Sequence, residues 1–338
     1  MQPYFSVIIP VFNGEARLAL TLDSVCHQTF RDFEIIVVDD GSIDKTSEIV
    51  AAYCEKEPQS VRYFYKNNGG VSSARNSGIA KATGKFVTFL DSDDLLEENY
   101  LQRMYDALEK TDNGWVCCVN KENGNMNWSR FTYKEGEDLL RYILNGGPLP
   151  QTACWTIRRT LLLRSGIFFD ESISYTEDYN FFCKFLYYAG NADIHGRYLK
   201  EPLVNYIIHG GSLCQWERLC PDIAHLRDDF KSTKDIYHYI DGTGREDKVA
   251  YLNLVRRRLK KKYLYNLWGT LLLGSMNDFR QLRQMYVKDK GIYSLSQVGL
   301  GMKYFVWELA TRPVICYVTL VLRPYKRFQK SRQRKNIF

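Results

Sequence analysis

The chain has 338 residues, 45% of them hydrophobic and 25% charged, enough for about two globular domains with a sizeable core. That balance excludes a fibrous or low-complexity protein, and no repeat or Gly/Pro-rich linker interrupts it. The net charge of +7 sits in one place: residues 323–338 carry seven basic side chains (Arg323, Lys326, Arg327, Lys330, Arg332, Arg334 and Lys335) and no acidic one. The rest of the chain is neutral overall, so the excess is a tail and not a field over the whole surface.

In chain order, SVIIPV (Ser6–Val11) is a short apolar run of the kind a buried strand makes, and Leu18, Leu22 and Val25 then recur at helical spacing. FEIIVV is a second strand, Thr46 to Cys54 a helix, VRYFY a third strand, and FVTFL (Phe86–Leu90) a fourth. Before the fourth strand, Ser72 or Ser73 can cap a helix running to about Lys81. Continuously apolar strands alternating with helices predict an α/β fold, a mostly parallel sheet covered on both faces. The region from Trp115 to Ser212 reads as mixed α/β and rich in aromatics. Beyond Gln215 the chain becomes helical and basic. The expected division is residues 1–110 and 111–215 as two halves of one catalytic domain, with 216–338 as a C-terminal helical extension.

MQPYFSVIIPVF lacks the basic start and small-residue cleavage site of a signal peptide and reads as a strand. The nine cysteines (Cys26, Cys54, Cys117, Cys118, Cys154, Cys183, Cys214, Cys220, Cys316) have no framework spacing and no C-x-x-C pair. They point to small core residues in a reduced compartment, without structural zinc. The expected location is the cytoplasm.

Ligands of parallel α/β sheets lie beyond the carboxyl ends of the strands. Four strands here deliver polar and glycine residues to that edge: Phe12-Asn13-Gly14, Asp39-Asp40-Gly41-Ser42, Lys66-Asn67-Asn68-Gly69-Gly70 and Asp91-Ser92-Asp93-Asp94. Asp91 and Asp93 are two apart beyond a strand, so continued strand geometry puts them on one face. Like charges so close call for a cation between them. Mg²⁺ or Mn²⁺ with one or two carboxylates and substrate phosphates fits that need. The bland alternative is an acidic cap, by Asp94 or Asn99, over the helix that follows.

Residues 7–46 and 67–94, with their VIIPVFNGEARLAL…FEIIVVDDGSIDKT and NNGGVSSARNSGIAKATGKFVTFLDSDD runs, resemble the family 2 glycosyltransferases. The likeness is dense over residues 5–110 and thinner to about 215. That family implies a GT-A fold and inverting transfer from a nucleotide-diphosphate sugar, by family habit a UDP-sugar. By resemblance Phe12 stacks on the donor's uracil, Asp40 accepts from uracil N3–H with Asp39 as a structural partner, and Arg75 lies near the nucleotide. Gly69 and Gly70 permit close backbone approach. Pro10, Asn13, Gly70 and Ser92 complete the donor pocket. Asp91 and Asp93 form the family's D-x-D motif, with Asp91 facing the ribose or sugar and Asp93 on the metal.

Glu177-Asp178 matches the family's E-D motif, making Asp178 the base that takes the acceptor hydroxyl's proton and placing Glu177 on the acceptor side. The bland reading of Asp178 is a helix N-terminal acid, with Thr176 as cap. Farther on, Tyr206, His209 and Ser212 keep the family's Tyr-Arg-x-His-x-x-Ser-x-Ser pattern, while Ile207 and Cys214 replace its Arg and second Ser. By resemblance His209 is then a second metal ligand or a contact to the diphosphate, against the bland reading of a satisfied structural histidine. Trp155 stands where the family's acceptor half begins, either stacked on an acceptor sugar or packed in the core.

The segment 304–322 is mostly apolar but interrupted by Glu308, Arg312 and Pro313, which suits an in-plane amphipathic segment better than a membrane span. With the basic tail it predicts binding to an anionic membrane surface, peripheral on the inner face; the alternative is helices packed on the core. No nucleic-acid-binding motif accompanies the charge. By resemblance the acceptor is a glycan or polyprenyl-diphosphate-linked oligosaccharide of surface polysaccharide synthesis. The competing functions are an inactive nucleotide-sugar-binding scaffold and a nucleotidyltransferase with a similar sheet. Dehydrogenase and P-loop glycine signatures are absent from the sequence.

Overall fold

The computed structural model describes residues 2–57, 60–109, 114–126, 132–134, 136–209 and 223–273, with residues 281 and 284. Ser212, Cys214, the segment 304–322 and the basic tail 323–338 lie outside them.

The N-terminal half alternates β1 (Phe5–Val11), α1 (Leu18–Cys26), β2 (Phe33–Asp39), α2 (Thr46–Lys56), β3 (Val61–Tyr65), α3 (Val71–Lys81) and β4 (Phe86–Phe89). Every residue of β1, β2 and β4 is buried, as their unbroken apolar runs require of strands covered on both faces. There follow β5 (Leu95–Leu96), α4 (Tyr100–Glu109), β6 (Trp115–Glu122), α5 (Leu139–Leu144), β7 (Trp155–Arg158), α6 (Arg159–Ser165), α7 (Glu177–Asn191), β8 (Gly196–Tyr206), α8 (Ile223–Asp241) and α9 (Lys248–Leu273).

One sheet runs β3-β2-β1-β4-β7-β6-β8-β5. Its first four strands are parallel, with Phe5 opposite both Phe33 and Phe86, and Val11 opposite Asp39. Their carboxyl ends therefore open on one edge. β7 joins β4 and β6 antiparallel, and β8 runs parallel to β6. At the end of β8, Asn205 and Val204 pair with Leu95 and Leu96 of β5. That short ladder carries the turn after β4 to the end of β8.

The capping expectation for α3 is corrected. Gly70, at φ 86°, occupies the N-cap position without a side-chain cap, and the buried Ser72 hydroxyl has no partner. A positive φ is the reason for glycine there. Met1–Gly210 with Lys231–Leu252 forms one compact unit, and Gly211–Phe230 with Asn253–Phe338 another. No described helix is long and apolar enough to cross a membrane.

α3 lies so close to the sheet that a methyl on Gly78 would sit 2.3 Å from Ile8 Cγ2. Ile8 is fully buried and branched, so it cannot yield easily. Gly78→Ala is expected to cost about 1–3 kcal/mol of stability by overpacking, read as a lower midpoint in urea denaturation.

Candidate active site

Arg75 joins two of the elements that meet at the strand edge. It is 3% exposed. Nη2 donates to Asp91 Oδ1 at 2.7 Å and Nη1 to Glu177 Oε1 at 2.8 Å. The guanidinium lies 5.1 Å from the Phe169 ring centre. Burial works against its charge, but the two carboxylates outweigh burial and raise its pKa. The sequence pattern puts Arg75 near the nucleotide and Glu177 on the acceptor side. The structure has them bound to each other, with Arg75 bridging the D-x-D turn and the start of α7.

Asp178 follows Glu177 in the first turn of α7 and remains partly exposed. Tyr179 N donates to its Oδ1 at 2.6 Å. Its carboxyl is pushed up to about 7, first by desolvation and then by the Glu177 charge, while Arg75 pulls it down. A carboxylate with that affinity for protons is a better general base at neutral pH than an ordinary aspartate. Thr176 does stand at the N-cap, but with φ 63° and no side-chain cap bond, so the expected hydroxyl cap is not made.

Asp93 Oδ2 lies 2.8 Å from His209 Nε2. They are 116 residues apart and meet because β5 pairs with the end of β8. Asp94 strengthens the junction: its Oδ1 accepts from Ile207 N at 2.9 Å, and Asn123 Oδ1 accepts from Ile208 N at 2.9 Å. Asp94 is buried, its Oδ2 is unpartnered, and its carboxyl is pushed up to about 9, by desolvation first and then by the charges of Asp91 and Asp93. It serves here as a backbone anchor and does not cap the following helix.

A hard divalent cation suits the Asp93–His209 pair. Carboxylate oxygen and imidazole nitrogen are both good donors to Mn²⁺, and the two atoms already converge. Among the described residues no three His, Cys, Asp or Glu side chains are grouped to hold an ion by themselves. Such a pair has the composition of a site completed by substrate phosphate oxygens.

On the other side of the edge, Phe12 is 53% exposed, a free aromatic face at the end of β1. Pro10 is buried within β1. Asn13, at φ 52°, accepts from Ile43 N at 3.0 Å, and its own N donates to Ser42 Oγ at 2.8 Å. Asp39 accepts from Ser42 N at 2.8 Å and Tyr63 OH at 2.6 Å, the structural role expected of it. Asp40 is also well supplied: Lys66 Nζ at 2.6 Å, Gly69 N at 3.0 Å and Gly70 N at 2.7 Å all donate to it. A nucleobase edge reaching Asp40 shares it with these donors or displaces one. The Ser92 carbonyl accepts from Thr21 Oγ1 at 2.9 Å.

Trp155 is a correction. It is 0% exposed, stacked on Phe182 at 4.4 Å, packed on Trp115, and its Nε1 donates to Pro150 O. No face is left for a sugar, and the ring is core. Sequence reasoning assigned no role to Lys66 or Asn123, and to Asp94 only that of a helix cap. Lys66 and Asp94 stood in view at the strand ends; Asp94 and Asn123 act through partners distant in sequence.

A curled, mostly parallel sheet whose strand ends gather carboxylates, glycines and an exposed aromatic defines a GT-A-like fold. S. aureus TarS (residues 1–349), solved with UDP-GlcNAc, superposes with a TM-score of 0.68 at 19% identity, covering 98% of this chain and 92% of that one. Residues 6–166, just under half of the chain, match glycosyl transferase family 2. An uncharacterized glycosyltransferase of Rickettsia typhi is 37% identical over 192 residues, 55% of this chain and 59% of that protein. The minor teichoic acid biosynthesis protein GgaA of Bacillus subtilis is 31% identical over 193 residues, 54% of this chain and 43% of that one. The matched part thus spans less than two thirds of either relative.

Replacing Arg75 with Met leaves Asp91 and Glu177 facing each other without their shared cation. Arg75→Met is expected to cost about 3 kcal/mol, seen as a lower thermal midpoint. It also removes the charge that pulls Asp178 down, so the Asp178 midpoint should rise above 7.

Proposed function

We propose that this chain transfers a sugar, with inversion, from a nucleotide-diphosphate sugar to a hydroxyl of a glycan or polyprenyl-diphosphate-linked acceptor in surface-polysaccharide biosynthesis. The observation that carries this reading is the meeting, through Arg75, of the D-x-D turn and the Glu177-Asp178 turn. This supports a reading in which donor-binding and proton-accepting groups work side by side at the strand ends. A UDP-sugar donor is supported by the exposed Phe12, the Asp40 loop and the UDP-GlcNAc held by TarS. The polysaccharide setting is supported by the likeness to the teichoic acid protein GgaA.

In this mechanism the base stacks on Phe12 and the diphosphate lies toward Asp91 and Asp93. The Asp178 carboxylate takes the proton of the acceptor hydroxyl as its oxygen bonds to the anomeric carbon from the face opposite the leaving group. The bond from that carbon to the diphosphate oxygen breaks, and the nucleoside diphosphate leaves with the electron pair. Arg75 holds Glu177, and so the first turn of α7, at a set distance from the D-x-D turn. Asp93 and His209 would hold a divalent cation, Mn²⁺ or Mg²⁺, whose chemistry when bound is to offset the diphosphate's growing charge. The apolar segment and basic tail in the sequence favour work at the inner membrane surface.

The test is release of nucleoside diphosphate from a panel of nucleotide sugars, with Mn²⁺, with Mg²⁺ and with EDTA. One donor should be consumed, and EDTA or Asp93→Ala should abolish its turnover. Nucleotide binding without turnover of any donor, even with a lipid-linked acceptor supplied, would instead favour a scaffold. Asp178→Asn should lower kcat by about 10²–10⁴-fold with nucleotide affinity retained.

The pH profile follows from Asp178. The base must be ionised, so kcat should fall as pH drops through about 7. Glu177→Gln removes a charge that raises Asp178 and should move that limb lower. Stability runs the other way. The folded state binds the Asp178 proton more tightly than the unfolded chain, so this group's contribution is present in acid and lost as pH rises toward and past 7.

A further inference from the structure

The turn that presents Asp178 is in an unfavourable backbone state. Thr176 has φ 63°, a left-handed conformation that a β-branched residue adopts only when its surroundings impose it. Its hydroxyl is buried without a partner, so nothing in its own side chain relieves the strain.

Besides the Arg75–Glu177 pair and the local bond from Asn180 N to Thr176 O, the turn is held from α8, more than fifty residues further along the chain. Ser232 Oγ donates to Thr176 O at 3.2 Å. Asn180, one turn into α7 and fully buried, donates from Nδ2 to Ser232 O at 3.1 Å and to Asp235 Oδ2 at 3.0 Å. Lys184 of α7 pairs with the same Asp235 carboxylate. Lys231 Nζ reaches back to Ser172 O at 2.8 Å and to the Ser172 hydroxyl. Ser232 itself is fully buried. These bonds cross from residues 231–235 to residues 172–184, on both sides of Asp178.

We propose that Ser232, Asn180 and Asp235 are positioning residues for Asp178: they impose the left-handed Thr176 turn and thereby fix where the base meets the acceptor hydroxyl. The proposal rests on Asp178 being the base. It extends the active site from α7 to α8 (Ile223–Asp241). The charged groups that act on Asp178 are Glu177, Arg75 and Asp91. α8 works on the direction of the carboxylate relative to these groups, so a shifted turn changes its titration as well as its aim.

The experiment uses the full chain with Ser232→Ala and, as a milder change at a partly exposed side chain, Asp235→Ala. Four quantities are measured for each: the thermal midpoint, UDP affinity, kcat and KM for the donor, and the Asp178 titration by ¹³C NMR of labelled aspartate, assigned with Asp178→Asn. The expected result is near-wild-type UDP affinity and donor KM, a kcat lower by about tenfold from misplacement of the base, and a displaced Asp178 midpoint. Wild-type kcat and an unmoved midpoint in folded variants overturn the proposal. So does a kcat loss that only parallels a loss of UDP affinity, since that marks general loosening. Should the wild type turn over no donor, the proposed function fails by itself. The NMR arm then still decides the positioning, supported by a displaced midpoint and overturned by an unchanged one. If Ser232→Ala does not fold, Asp235→Ala is measured by the same readouts, and the same outcomes support or overturn the proposal.

Discussion

A buried guanidinium between two carboxylates organises this site. Arg75 cannot leave its position without stranding a charge in the interior, and removing one partner of such an arrangement is far costlier than never having built it. Its two acids come from elements that the chain separates widely: Asp91 from the turn after β4, and Glu177 from the start of α7. Because the fork is planar and short, it fixes distance as well as charge. The turn that would face a diphosphate and the helix that presents Asp178 are thus held in register by one side chain.

The acids along the strand ends are sorted by what surrounds them. Asp39 and Asp40 are buried and hydrogen-bonded to two and three donors respectively, and they shape loops. Asp94 is buried with a single backbone donor, and its proton affinity rises accordingly. Asp93 stays partly exposed and in contact with the His209 imidazole. Asp178 sits between these extremes: desolvation and Glu177 raise its affinity for protons while Arg75 restrains the rise. Residues of one type thereby take different tasks, set by local solvation and neighbours.

The short β5–β8 ladder has an importance out of proportion to its size. Two residue pairs carry the end of β8 to the D-x-D turn, and from there the Asp94 and Asn123 side chains hold the backbone at Ile207 and Ile208. His209 meets Asp93 as a consequence. Bonds from α8 likewise reach the start of α7. Both are cases in which late parts of the chain complete what the N-terminal sheet begins.

The N-terminal half was legible in the sequence because its signals are local. Unbroken apolar runs mark strands buried on both faces, alternation with helices makes them parallel, and parallel strands must deliver their loops to one edge. Phe12, Asp40, Gly70, Asp91 and Asp93 could therefore be placed together from the sequence. The resemblance added Asp178 and His209 to that group. What a side chain touches from across the chain is not local, and it was not legible there. A buried Trp and one that stacks on a ligand look the same in sequence, and Trp155 proved to be core. Arg75 and Glu177 read as separate ligand contacts and turned out to hold each other. Gly70, not a serine, takes the N-cap of α3, because the backbone there has a positive φ that glycine adopts without strain. Sequence alone determined the sheet and the chemistry gathered at its edge, since both follow from periodicity and residue type. Only the tertiary structure decided which carboxylates are anchors, which are paired, and which is left partly exposed with a raised affinity for protons, since that depends on burial and on partners that folding brings from far along the chain.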